Sequence, residues 1–232
     1  MALQHTFLSY GSSTYPHYYL CNYLPLAAGK DRLSHSLLKF KEGRSPDLET
    51  WISCSLDLLS TLSFPPHTLI LRALHHIETQ PDPSQAPSLD LLGQALASRL
   101  GGSYQPTLLQ KDSPTREIKT LSRDQRNLEL MDCYSFFPPV QQPPLILLLD
   151  DIFTTGVTLH TIIGAIRQHY PHPTISLFTL ARANYHLPYP NSPLKTNYDS
   201  LQQYPPSMQA GNRQIPSYSA EELQNQIHAN SF

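Results

Sequence analysis

Residues 145–159, LILLLDDIFTTGVTL, hold the side chains in this sequence best suited to chemistry. Five apolar residues run directly into two aspartates, Asp150 and Asp151. A small-residue turn follows, with Thr154, Thr155, Gly156, Val157 and Thr158. Adjacent carboxylates repel one another, so hydroxyl donors, a cation or solvent must compensate. A turn that opens a helix leaves backbone N–H groups without partners and partly positive, a setting that suits a phosphate. Gly156 lets the backbone come close to a ligand, and three threonine hydroxyls add donors. The combination asks for a phosphate at one end of a ligand and vicinal hydroxyls a few ångströms away. Ribose 5-phosphate meets that demand.

The elements that must position these groups follow from periodicity. An unbroken apolar run such as LILLL (145–149) reads as a strand buried on both faces, as in a parallel sheet. TLHTIIGAIRQHY (158–170) reads as the helix after it and TISLFTLAR (174–182) as the next strand. Strand, helix and strand in so short a span make a βαβ unit with a right-handed crossover, and ligands in such sheets sit beyond the carboxyl ends of the strands. Upstream, Asp31–Phe40 and Leu48–Leu62 carry helical stripes. HTLILRALH (67–75) reads as a short buried strand after Pro65-Pro66, and PDPSQAP (81–87) as a break. SLDLLGQALASRLGG (88–102) reads as a helix with Ser88 as N-cap and Gly101-Gly102 as its stop. Residues 111–130 are strongly charged. Residues 1–30, rich in Tyr, Ser and Pro, show no sustained period and read as an N-terminal extension. The main domain is expected over 31–185. From His186 the chain is rich in Pro, Asn, Ser, Gln and Tyr and reads as an irregular tail over 186–232; a capping box from Ser219 to Glu222 suggests a short terminal helix.

Bulk properties narrow the class. The chain has 232 residues, enough to bury a sizeable core, and a formal net charge of −2. That balance does not indicate nucleic acid or a membrane surface as partner. The first twenty residues do not read as a signal peptide, and no segment reaches about 18 consecutive apolar residues. Three scattered cysteines, Cys21, Cys54 and Cys133, form no C-x-x-C pair, which fits a reducing, cytoplasmic setting. A homodimer is one option that the sequence leaves open.

Other readings of the acidic strand end are weaker. A Walker B strand needs an upstream G-x-x-x-x-G-K-[ST], and the single Gly-Lys, Gly29-Lys30, has Leu24 five residues before the glycine and Asp31 after the lysine. A receiver-type phosphoacceptor site would place its acidic pair near the N-terminus. A plain solvated strand end explains Asp-Asp alone but not the whole fifteen-residue pattern. His75-His76 followed by Glu78 could suggest a metal site; adjacent histidines rarely face one ion, so a polar loop is the preferred reading.

LLLDDIFTTGVTL resembles the PRPP-binding signature of type I phosphoribosyltransferases. SLLKFKEGR (36–44), SLDLLGQALASRLG, LSRDQRN (121–127) and SLFTLAR ending at Arg182 resemble, in order, segments of the ComF-like, competence-associated members of that family. The likeness covers roughly residues 33–182 and implies a Rossmann-like α/β fold, a mainly parallel sheet flanked by helices. It implies that Asp150 and Asp151 hold the ribose 2- and 3-hydroxyls, directly or through Mg²⁺. Thr154, Thr155, Gly156, Val157 and Thr158 would form the 5-phosphate loop. Arg72, Ala73 and Leu74 would lie on the pyrophosphate side, and Arg116, Lys119, Arg123 and Arg126 in a mobile basic segment over PRPP. Lys39 and Lys41 are further candidates. The implied activity is transfer of ribose 5-phosphate to a nitrogen nucleophile with release of pyrophosphate. The alternative is a catalytically silent PRPP- or nucleotide-binding adaptor in DNA uptake or replication restart. The chain departs from the family in three places. It lacks the cysteines of the N-terminal zinc ribbon, its pyrophosphate strand reads LILRALH, and Thr154 stands where 6-oxopurine enzymes carry an aspartate.

Overall fold

A computed structural model describes residues 3–23, 32–82, 84, 87–114 and 133–183. Over these residues the chain is α/β, with a mainly parallel sheet flanked by helices on both faces. In chain order the elements are β1 (Gln4–Tyr10), β2 (Ser13–Tyr23), α1 (Arg32–Lys41), α2 (Asp47–Leu59), β3 (Leu69–Arg72), α3 (Pro87–Leu100) and β4 (Ser103–Tyr104). After a 3-10 turn over Pro106–Leu108 come β5 (Leu109–Lys111), β6 (Tyr134–Phe136), β7 (Ile146–Phe153), α4 (Val157–His169) and β8 (Ile175–Ala183). The tail 184–232 and most of the charged stretch lie outside the described residues. Among the described residues no helix is long and apolar enough to cross a membrane.

Six strands form one sheet in the order β1-β2-β8-β7-β3-β4, while β5 and β6 form a separate ribbon. Only β1 runs antiparallel; β2, β8, β7, β3 and β4 are parallel. Their carboxyl ends therefore share one edge of the sheet. β7 lies between β3 and β8, with Leu71 opposite Leu148 and Leu148 opposite Leu177. Alternation of side chains along the strand sends Leu147 and Leu149 into a core with Phe40, Trp51, Leu92 and Leu96 of α1–α3. Ile146 and Leu148 enter the other core, with Leu159, Ile162 and Ile166 of α4 and Tyr134 of β6. This is why LILLL has no polar member.

The N-terminal segment differs from the reading as an aperiodic extension. Residues 4–23 form a hairpin around Gly11 (φ 57°) and Ser12, and β2 pairs with β8 inside the main sheet. The buried positions of β2 are Tyr15, His17, Leu20 and Cys21, and only Leu20 is of the aliphatic type that would show the strand pattern. His17 is fully buried, with its Nε2 2.8 Å from Thr179 Oγ1 and its Nδ1 without a partner among the described residues.

Helix ends are set by glycine. Gly43 (φ 71°) closes α1, with Arg44 N–H donating to Lys39 O at 2.9 Å. Gly101 (φ 65°) closes α3, with Gly102 N–H donating to Ala97 O at 2.9 Å; both are six-to-one C-terminal bonds. Ser88 does not cap α3. The helix begins one residue earlier, at Pro87, and the Ser88 hydroxyl donates to Phe40 O, tying α3 to the end of α1.

At the end of β3 a buried charge cluster fixes the following loop. Arg72 has no exposed surface; its Nη1 and Nη2 donate to Glu78 at 2.8 and 2.7 Å, and its Nε and Nη2 to Asp90 at 2.8 and 3.0 Å. Burial works against the guanidinium charge, but the bonds to Glu78 and Asp90 outweigh it and raise its pKa. Tyr104 donates a further bond to Asp90. Removing one member of such a group strands its partners, so Arg72→Met is expected to cost about 3–5 kcal/mol. Denaturant titration should show a lower midpoint at unchanged slope; an unaltered midpoint would contradict the role of this cluster.

Candidate functional site

Asp150 and Asp151 occupy the first polar positions of β7, where its apolar run leaves the core. Alternation along the strand separates them. Asp151 lies on the α1 side, where Lys41, the last residue of α1, places Nζ 2.6 Å from its Oδ2. Lys41 is 38% exposed and Asp151 22%. Asp150 follows Ile146 and Leu148 on the opposite pleat. Each carboxylate also accepts the next backbone N–H: Asp151 N to Asp150 Oδ1 at 2.9 Å and Ile152 N to Asp151 Oδ1 at 2.5 Å. Burial, then the negative charge of Asp151, pushes Asp150 up to about 7; Lys41 pulls the other way. The charge of Asp151 in turn holds the Lys41 ammonium above its ordinary value.

Beyond the strand, Thr154 and Thr155 are exposed and Gly156 is buried in the left-handed region at φ 78°. A Cβ there would stand 2.7 Å from the Phe153 ring, so the position excludes larger residues on both backbone and packing grounds. Gly156 is the N-cap of α4 with no side-chain cap bond, and the first helical bond runs from His160 N to Gly156 O at 2.9 Å. The N–H groups of Val157, Thr158 and Leu159 therefore precede the first intrahelical donor. Behind the loop Phe153 stacks on His17, ring centroids 4.5 Å apart. Burial, with the charge of Arg182 adding, lowers His17 to about 4 and keeps it neutral. His17 supports the loop from within the core. Nothing in its tyrosine-rich surroundings marks that role.

The end of β3 looks different. Ala73 N donates to Leu149 O at 2.8 Å, Leu74 N to the Tyr134 hydroxyl at 3.2 Å and His75 N to Glu78 Oε2 at 2.5 Å. All three amides after the strand thus have internal acceptors, and Ala73 and Leu74 are buried. Arg72 turns inward to Glu78 and Asp90 rather than to the sheet edge. Lys111 Nζ pins the same loop from the other side, donating to His75 O at 2.7 Å and His76 O at 3.2 Å. Both Glu78 oxygens are bound to Arg72, so His75, His76 and Glu78 do not converge; the two imidazoles stack at 4.2 Å. The His75 ring lies within electrostatic reach of Lys41 and Asp151, and burial, with the charge of His76, lowers its pKa.

Of the residues singled out from sequence, the structure therefore gathers Asp150, Asp151, Lys41 and the loop Thr154–Thr158 at one edge. Lys39 faces Asp47 instead, at 3.6 Å. Arg116, Lys119, Arg123 and Arg126 lie outside the described residues. The threonine turn opens on the surface: a groove of about 700 Å³ runs along α4 against Tyr10, Gly11 and Arg167, and of the loop it touches Val157. Among the described residues no group of three or more His, Cys, Asp or Glu could hold a metal ion. The sequence matches no family model and no curated protein.

The raised Asp150 has a testable consequence. Its folded pKa of about 7 exceeds the reference 3.8, so its contribution to stability is full below about 4 and is lost as pH rises through 7. Asp150→Asn should match the wild type near pH 4 and melt at higher temperature near pH 8. A melting difference that stays flat across this range would refute the raised carboxyl.

Proposed function

We propose that this chain binds PRPP and transfers its ribose 5-phosphate to a nitrogen nucleophile, releasing pyrophosphate, as a ComF-like type I phosphoribosyltransferase. One observation carries the reading. A parallel strand leaves the core at Asp150 and Asp151 and passes through left-handed Gly156 into a helix start whose first three amides have no intrahelical acceptor. The amides of Val157, Thr158 and Leu159 and the hydroxyls of Thr154, Thr155 and Thr158 would take the 5-phosphate, and the two carboxyl groups the ribose diol. Displacement at C1 passes through an oxocarbenium-like ribose. It calls for little acid–base chemistry, so holding both ends of the sugar supplies most of the effect. Mg²⁺, carried in on the pyrophosphate, would neutralise charge on that leaving group. Thr154, in place of an aspartate, favours an acceptor other than a 6-oxopurine.

A second reading is favoured by the end of β3. With the amides of Ala73, Leu74 and His75 bonded internally and Arg72 buried, this edge offers few donors to a pyrophosphate. On this reading the chain binds PRPP or a nucleotide without turnover, as an adaptor of the kind ComF-like proteins are thought to be in DNA uptake or replication restart.

Two measurements separate these readings. Pyrophosphate release from PRPP and Mg²⁺ across a panel of bases and amines is expected for the enzyme; thermal stabilisation by PRPP with no release across the panel points to the adaptor. Under both, Asp150→Asn with Asp151→Asn removes charge-assisted bonds of about 1.5–3 kcal/mol each. The double variant should bind PRPP on the order of a hundredfold more weakly in calorimetry. Equal affinity would remove the site.

A further inference from the structure

The acidic pair carries its own counter-ion. Lys41 is delivered by backbone that cannot easily move: Phe40 is fully buried, Gly43 N bonds Phe40 O at 2.9 Å, and Ser88 donates to Phe40 O and, at 3.4 Å, to Lys41 O. The end of α1 is thereby tied to the start of α3. Its ammonium reaches Asp151 Oδ2 at 2.6 Å, the length of a strong charge-assisted bond. Three of the four carboxylate oxygens already accept a donor: Asp151 Oδ2 from Lys41, Asp151 Oδ1 from Ile152 N and Asp150 Oδ1 from Asp151 N. Among the described residues Asp150 Oδ2 alone has none. A divalent cation seated on Asp151 would lie within a few ångströms of the Lys41 ammonium and be repelled by it. The pair does not fit a metal ion held by the protein itself. Hydroxyl donors fit it well, because each oxygen keeps a second lone pair for an O–H.

We infer that Lys41 takes the place of a divalent ion at the acidic pair, so that Asp150 and Asp151 hold the ribose hydroxyls directly. This rests on the ribose-phosphate reading above and makes Lys41 a positioning residue, acting through Asp151. Mg²⁺ then belongs to the pyrophosphate end of PRPP alone, and a sugar phosphate lacking pyrophosphate binds without it.

Ribose 5-phosphate is the probe that tests this, titrated by calorimetry into the full chain in EDTA and in excess MgCl₂. The wild type should bind equally in both, within about twofold, and Lys41→Met should lose about tenfold in EDTA and recover part of it with Mg²⁺. Lys41→Arg should keep metal-free binding. Arg44→Met, three residues past α1 at an exposed site, serves as the control. Wild-type binding that tightens about tenfold with Mg²⁺, or Lys41→Met binding as tightly as wild type in EDTA, overturns the inference while leaving the ribose-phosphate reading intact. No binding of ribose 5-phosphate or PRPP in either buffer removes that reading, and the inference with it. Should Lys41→Met fail to fold by circular dichroism, the wild-type comparison with and without Mg²⁺ decides alone.

Discussion

Strand β7 is hydrogen-bonded on both edges and packed on both faces, and the rest of the site depends on that confinement. Between β3 and β8 its backbone donors and acceptors are taken, and from Ile146 to Leu149 both pleats are sealed by α1–α3 on one side and α4 on the other. A polar side chain inside this stretch would lose its water with nothing to replace it. Polarity can begin only where the helices stop covering the sheet. There two carboxylates appear in succession, on opposite pleats, so they meet different surroundings although they are neighbours in sequence. The turn that follows must bring the chain back over Phe153 within three residues, and the left-handed backbone of Gly156 makes that possible.

The neighbouring strand shows the opposite solution to the same problem. β3 also ends at the sheet edge, but its exit is closed by Arg72, a full charge drawn into the core and answered by Glu78 and Asp90. Such a cluster contributes modestly to net stability, since desolvation offsets most of the attraction, but it fixes geometry firmly because any displacement leaves a charge uncompensated. Glu78 extends that constraint to the loop, accepting the amides of His75 and Asp82, and Lys111 holds the carbonyls of His75 and His76. One strand end is thus rigid and internally satisfied, and the other is open and polar. Both lie on one edge because the parallel order β2-β8-β7-β3 leaves no alternative.

What could be read from the residues follows the same physics. β7, α4 and β8 were legible because double burial leaves an unbroken apolar run and a helix packed on one face leaves a stripe. The threonine loop was legible because its residue types have few other uses at a strand end. The hairpin of β1 and β2 was not, since Tyr15, His17 and Cys21 do the work of aliphatic residues there and a hydrogen bond between His17 Nε2 and Thr179 Oγ1 helps hold the histidine in the core. Arg72 looked available to a ligand because local sequence does not reveal that Glu78 and Asp90, six and eighteen residues away, fold back on it. Lys41 was visible through motif likeness, whereas its pairing with Asp151 depends on how α1 docks, a long-range fact. Ser88 had the residue type and position of a cap, yet its hydroxyl bonds the carbonyl of Phe40.

The two aspartates end up chemically unequal, and the inequality follows from the fold. Asp151 pairs with the Lys41 ammonium at 2.6 Å, whereas burial, then the charge of Asp151, raises Asp150 to about 7. Near neutral pH Asp150 is therefore partly protonated, while the carboxyl beside it faces the Lys41 ammonium. An ionised carboxylate only accepts hydrogen bonds, while a protonated carboxyl can also donate one. Two neighbouring hydroxyls of a ligand need acceptors for their protons and can each accept one in return, so an anion beside a half-protonated acid serves them better than two anions would. It also keeps local charge near zero once Lys41 is counted, which lowers the cost of removing the site from water. Chain order put two identical residues side by side. Their placement on opposite pleats, with α1 reaching only one of them, is what makes them different.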